Sequence, residues 1–125
     1  MADHFPPNWQ ARLAALLAIP DTAAWRELSA AWATAEGSYA TWNPWDTTYP
    51  LPVSTDFNTD GVQDYLSPLQ GLCATALTLA YPDYAGILGD LQSGHFTAKQ
   101  IVTRNAPKFD EWGTGSASLL AVLGA

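Results

Sequence analysis

The chain predicts a mainly α domain of the α+β kind, with one irregular or short-hairpin lobe between its second and third helices. Three observations predict it. Apolar residues recur at spacings of three and four through most of the 125 residues. That period vanishes from Gly37 to Leu66, where prolines 44, 50 and 52 fall among aromatics and a run of Asp, Asn, Thr and Gly. An apolar content of 48% is enough for one core without staples, so residues 1–125 are expected to form a single domain.

After "FPP", Asn8 is the expected cap of a first helix with Trp9, Leu13, Leu16 and Leu17 on one face, ending at Ile19-Pro20. Asp21 is the expected cap of the second, which sets Trp25, Leu28, Trp32 and Ala35 at spacings of three and four. Glu36 falls one turn after Trp32 at the edge of that face, and Gly37 suits a left-handed C-cap. The stretch to Leu66 reads as an ordered loop or small hairpin, and long ordered loops often carry function. Ser67-Pro68 restarts a helix whose stripe of Leu69, Leu72, Cys73, Ala76, Leu79 and Ala80 is the most regular in the chain, and it is expected to be the central core helix. "YAGILGDLQSG" gives a fourth helix through Tyr84, Ile87, Leu88 and Leu91, stopping at Gly94. "TAKQIVTRN" opens with Thr97 and Gln100 in capping-box spacing. "FDEWGTGS" reads as a glycine-punctuated loop into a terminal helix with Leu119, Leu120, Val122 and Leu123.

Five basic residues against twelve acidic ones leave a net charge of -7 with no basic cluster, which argues against nucleic acid as a partner. No stretch approaches the roughly 20 apolar residues of a membrane span. The start "MADHFPPNW" has neither the basic nor the apolar region of a Sec signal, so a soluble chain is expected. The lone Cys73 excludes a disulfide framework and reads as a small buried hydrophobe. His4 and His95 lie in different segments and read as surface residues. No Gly-x-Ser-x-Gly elbow supports a serine hydrolase.

Four stretches in order, "AEGSYATWNPWDTT", "FNTDGVQDYLSPLQGLCATALTL", "YAGILGDLQSG" and "WGTG", resemble the small lysozyme-like module of phage endolysins and tail proteins. The shared elements are Glu-Gly, Asn-Pro, Thr-Thr, Asn, Gly-Val, Tyr, Ser, Gly, Ala-Thr, Leu and a closing Trp-Gly-Thr. Each is short, and the signal is their order across about residues 35 to 115. The resemblance implies a lysozyme-like helical domain that cleaves the glycan strand of peptidoglycan as a muramidase, lytic transglycosylase or glucosaminidase. It implies Glu36 as the general acid, no cofactor, bacterial cell-wall glycan and other virion proteins as partners, and a place in the virion or the host cell envelope.

The chemistry of glycoside cleavage agrees with that role for Glu36. The acid must still hold its proton near neutral pH, which calls for apolar surroundings or negative potential. Trp32 one turn back and the negative end of the helix dipole supply both. On helix statistics alone, Glu36 is a solvated residue at a helix end, and the order of motifs favours the catalytic reading. A second carboxylate is less clear. In phage-type muramidases an Asp or Cys nine residues after the glutamate and a Thr fifteen after it complete the site, and here those positions are Trp45 and Leu51. Lytic transglycosylases use one glutamate as both acid and base. Asp46 is the best-placed second catalytic candidate, with the capping of a turn at Thr47 and Thr48 as its plain alternative.

Pyranose rings pack on aromatic faces, so Tyr39, Trp42, Trp45 and Tyr49 beside Asn43 are candidates for a glycan groove. Trp9, Trp25 and Trp32 read as core, whereas Trp42 and Trp45 have no helical face to bury them. Tyr65 and Asn58 join the substrate-binding candidates on the family pattern. "DFNTDGVQDYLS" matches the first half of a calcium loop through Asp56, Asn58, Asp60 and Gly61, but its twelfth position is Ser67 and Asp64 compensates only in part. No metal is expected there, and an Asx-rich turn is. The competing function is a non-catalytic glycan-binding or structural virion protein on the same fold, favoured by the absent second carboxylate.

Overall fold

The computed structural model describes residues 5–37 and 39–124. In chain order it runs α1 (Trp9–Leu17), α2 (Ala23–Glu36), the strands β1 (Thr55–Asp56) and β2 (Gln63–Asp64), and α3 (Pro68–Leu79). A 3-10 turn (Pro82–Tyr84) then leads to α4 (Ala85–Ser93), α5 (Ala98–Arg104), α6 (Ala106–Trp112) and α7 (Ser116–Leu123). The class is mainly helical with one small hairpin, as the loss of period after Gly37 predicts. Among the described residues no helix is long and apolar enough to cross a membrane.

Two expected caps are corrected. Asn8 itself has φ +52°, outside the extended region a capping side chain needs, and it makes no capping bond. Thr22, not Asp21, caps α2 by accepting the Trp25 N–H at 3.2 Å, while Asp21 is drawn to Arg26 by contacts of 2.6 and 2.7 Å. The capping box at Thr97 and Gln100 and the Gly37 and Gly94 stops form as read.

The expected stripe of α3 is also corrected. Leu72, Ala76 and Leu79 are buried, but Leu69 and Ala80 are exposed and Cys73 is half-buried; Gly71, Ala74 and Thr75 are buried instead. The reason lies at Gly71, where a Cβ would stand 1.9 Å from the Trp42 carbonyl oxygen. The side of α3 that meets the lobe is therefore its small-residue side, which a search for large apolar residues passes over. The largest buried side chains gather around α2, whose Trp25, Leu28 and Trp32 are closed from solvent and which packs on α5 and α7. "FDEW", expected as loop, is the end of α6: Pro107 fits its first turn and Gly113 at φ +108° ends it. Seven residues make only two turns, too few for an apolar period to recur.

The lobe crosses back over this helical frame and is pinned by a hairpin that pairs Thr55 with Asp64 and Asp56 with Gln63. His95 is exposed; His4 lies outside the described residues.

Candidate active site

Gly37, with φ +61° and its N–H on the Ala33 carbonyl at 3.1 Å, ends α2 directly after Glu36. The Glu36 side chain is thereby left at the seam between helix and lobe. Two partners meet it there. Thr114, from the turn between α6 and α7, accepts the Trp32 indole N–H at 2.9 Å and donates its own hydroxyl to Glu36 Oε1. Asp46, from the lobe, is near enough for its side chain to act on the Glu36 carboxyl. Burial raises the Glu36 carboxyl from 4.5 to about 7; the Thr114 bond opposes this, and the charge and hydrogen bond of Asp46 reinforce it. Asp46 Oδ1 is buried, and no protein donor reaches it.

The backbone that delivers Asp46 is held from three sides. Trp45 stacks on Trp32 with ring centroids 3.9 Å apart, and its indole donates to the Ser29 carbonyl at 3.2 Å. The Trp112 indole donates to the Trp45 carbonyl at 3.0 Å. Asn43 accepts the Thr47 N–H at 2.9 Å and donates to the carbonyls of Thr47 and Gln63 at 2.9 and 2.8 Å. Asp46 itself sits at φ +56°, a left-handed conformation uncommon for a residue with a Cβ.

Three substrate-binding expectations are corrected by this packing. Trp45 is 0% exposed and is core, because the lobe folds back over α2 and supplies the burial that a helical face would have given. Asn43 is equally closed, and all its amide bonds serve the lobe backbone. Tyr65 is buried with its hydroxyl on the Tyr49 carbonyl at 2.6 Å, and burial pushes its phenol up. Of the others, Tyr39 is exposed, Trp42 is half-buried at φ +55°, and Asn58 is exposed in the hairpin turn.

In that turn Asn58 Oδ1 accepts the N–H groups of Asp60 and Val62 at 3.1 and 3.2 Å. Asp56 accepts from Gln63 at 2.7 Å, and Asp64 from the Thr41 N–H at 2.7 Å. The oxygens of the calcium-like stretch thus serve turn and lobe geometry. Among the described residues no group of three or more His, Cys, Asp or Glu is placed to hold a metal ion.

A groove of about 460 Å³ is lined by Thr48, Tyr49, Pro50, Thr78, Tyr81 and Tyr84. Glu36 and Asp46 are not among its walls, but Thr48 is two residues beyond Asp46, and Tyr84 packs on Trp112 at 5.0 Å. Phenol rings beside hydroxyls match the alternating apolar faces and polar edges of a sugar. Sequence reasoning reached Tyr49 and missed Tyr81 and Tyr84, which it left in or beside a helix start. It also missed Thr114 as a partner of Glu36, although the closing "WGTG" was the signal that could have found it.

Compared with protein-family models, with curated proteins and with solved structures, the chain matches none.

Proposed function

We propose that this chain cleaves the glycan strand of peptidoglycan with Glu36 as its single acid and base, on a lysozyme-like fold, in the virion or host envelope setting that its resemblance implies. The observation that carries the reading is the half-buried Glu36 carboxyl, raised to about 7 at the seam between helix and lobe, in a chain that also has a tyrosine-lined groove. Glu36 gives its proton to the glycosidic oxygen as the bond from that oxygen to the anomeric carbon breaks. The bonding electrons leave with the oxygen, and the positive charge that develops on the ring lies near the negative Asp46. The Glu36 carboxylate then takes a proton from the acceptor hydroxyl, whether of water or of the sugar itself, as the new bond to the anomeric carbon forms. Asp46 acts on the acid and on the developing charge, and not as a nucleophile.

A second reading, a glycan-binding or structural virion protein, is favoured by the departure at Trp45, which stands nine residues after Glu36 where a second catalytic side chain is expected. Digestion of purified peptidoglycan, with the released ends identified by mass spectrometry, separates the two. Wild type is expected to release glycan fragments, and Glu36→Gln to do so roughly a hundredfold more slowly or worse. Equal cleavage by the variant removes Glu36 from the mechanism. Binding of glycan oligomers without cleavage by wild type leaves the second reading.

A further inference from the structure

A tryptophan indole can only donate a hydrogen bond, and a threonine hydroxyl has one hydrogen to give. At the seam this fixes a direction. Trp32 Nε1 gives its hydrogen to Thr114 Oγ1, so the hydrogen on Thr114 is free for another acceptor, and the one in reach is Glu36 Oε1. The reverse arrangement, with a proton on Oε1 directed at Thr114, would leave the Thr114 hydrogen without an acceptor in a buried place. That omission is costly, and the forward arrangement avoids it.

We infer that Thr114 is a positioning residue that fixes Glu36 Oε1 as an acceptor and so leaves the carboxyl proton to Oε2, the oxygen from which a leaving group would take it. The chain of donors runs from Trp32 through Thr114 to Glu36, joining α2 and the α6–α7 turn. For its catalytic meaning this rests on the proposed role of Glu36, but the placement of the proton does not.

The surrounding charges do not reverse it. On α6, Asp110 accepts the Ser116 N–H and Lys108 pairs with Glu111. On α5, Arg104 pairs with Asp90, and Lys99 turns to the Gly124 carbonyl. Helix α7 carries no ionisable side chain, and the negative charge acting on Glu36 is that of Asp46.

Carbon-13 titration of the side-chain carboxyls, with the Trp32 indole proton followed in the same samples, tests this without any need for cleavage. In wild type, Glu36 is expected to carry a titration step near neutral pH. Thr114→Val removes the bond to Oε1 and should move the Glu36 midpoint upward by about half a pH unit or more, with an upfield move of the Trp32 indole proton. Thr114→Ser should restore both, and Asp46→Asn should move the Glu36 midpoint downward. Thr114→Ala repeats the removal should the valine variant fold poorly, and the wild-type titration and Asp46→Asn stand without either. A Glu36 midpoint indifferent to loss of the Thr114 hydroxyl overturns the inference. If the midpoints move as expected in a protein that cuts no wall glycan, the donor chain stands and the proposed function falls.

Discussion

Glu36 holds its proton more tightly folded than unfolded, since its carboxyl rises from 4.5 to about 7 on burial beside Asp46. Unfolding therefore releases a proton between those values, and the stability tied to this group is full at acid pH and lost as pH rises through about 7. At about 1.4 kcal/mol per pH unit, and halved for the solvent that still reaches the carboxyl, the effect is about 1–2 kcal/mol. Glu36→Gln keeps an acceptor for Thr114 and gains a donor for Asp46. It should be more stable than wild type by about that amount at pH 8 and no more stable at pH 4, by denaturant unfolding at each pH. An equal difference at both pH values would show that Glu36 is not held protonated by its surroundings. Trp45 supplies the opposite case. Buried and stacked on Trp32, it should cost about 3–5 kcal/mol as Trp45→Ala, a loss visible in unfolding before any binding is measured. A stable variant that had lost only glycan binding would restore Trp45 to the groove. The place of Glu36 at the end of α2 was legible in the sequence because a glutamate, a C-cap glycine and a tryptophan one turn back are local neighbours. Thr114 and the burial of Trp45 depend on contacts 78 and 16 residues away in sequence, which no local window contains.

At the scale of elements, local chemistry was read well where it is self-contained: the Thr97–Gln100 capping box, the glycine stops, and the restart of a helix at Ser67-Pro68. It failed where a tertiary contact outweighs propensity. Gly71 lies inside α3, and helix propensity alone predicts that alanine there gains about 1 kcal/mol. The contact predicts the reverse, because the added Cβ would stand 1.9 Å from the Trp42 carbonyl, an atom of the backbone. Overpacking of this kind costs about 1–3 kcal/mol. Gly71→Ala should therefore be destabilised, and because the displaced strand of chain leads through Asn43 to Asp46, cleavage should fall more steeply than stability. Unfolding midpoints and wall digestion on the same samples measure both. A gain in stability would mean that the lobe does not rest on α3 as described.

Over the whole molecule, the composition was the surest part of the sequence to read for charge and the least informative for function. Its consequence for the proposed activity concerns approach to the substrate. The net charge of -7 repels an anionic cell wall, and repulsion between two like-charged bodies slows their encounter at low ionic strength. The groove itself offers phenols and hydroxyls, with no cation among Thr48, Tyr49, Pro50, Thr78, Tyr81 and Tyr84 to draw in an anion. Screening lengths fall from roughly 30 Å at 0.01 M salt to about 8 Å at 0.15 M. Cleavage of intact anionic walls should accordingly rise as salt is added over that range, while cleavage of short uncharged chitin-type oligomers stays flat, because only the wall carries the field that salt screens. Initial rates on both substrates across the salt series decide it. A rate on walls that falls with salt would mean that a local cationic surface guides the encounter despite the overall charge, and the search for the wall-binding face would move from the tyrosine groove to the side bearing Lys99 and Arg104.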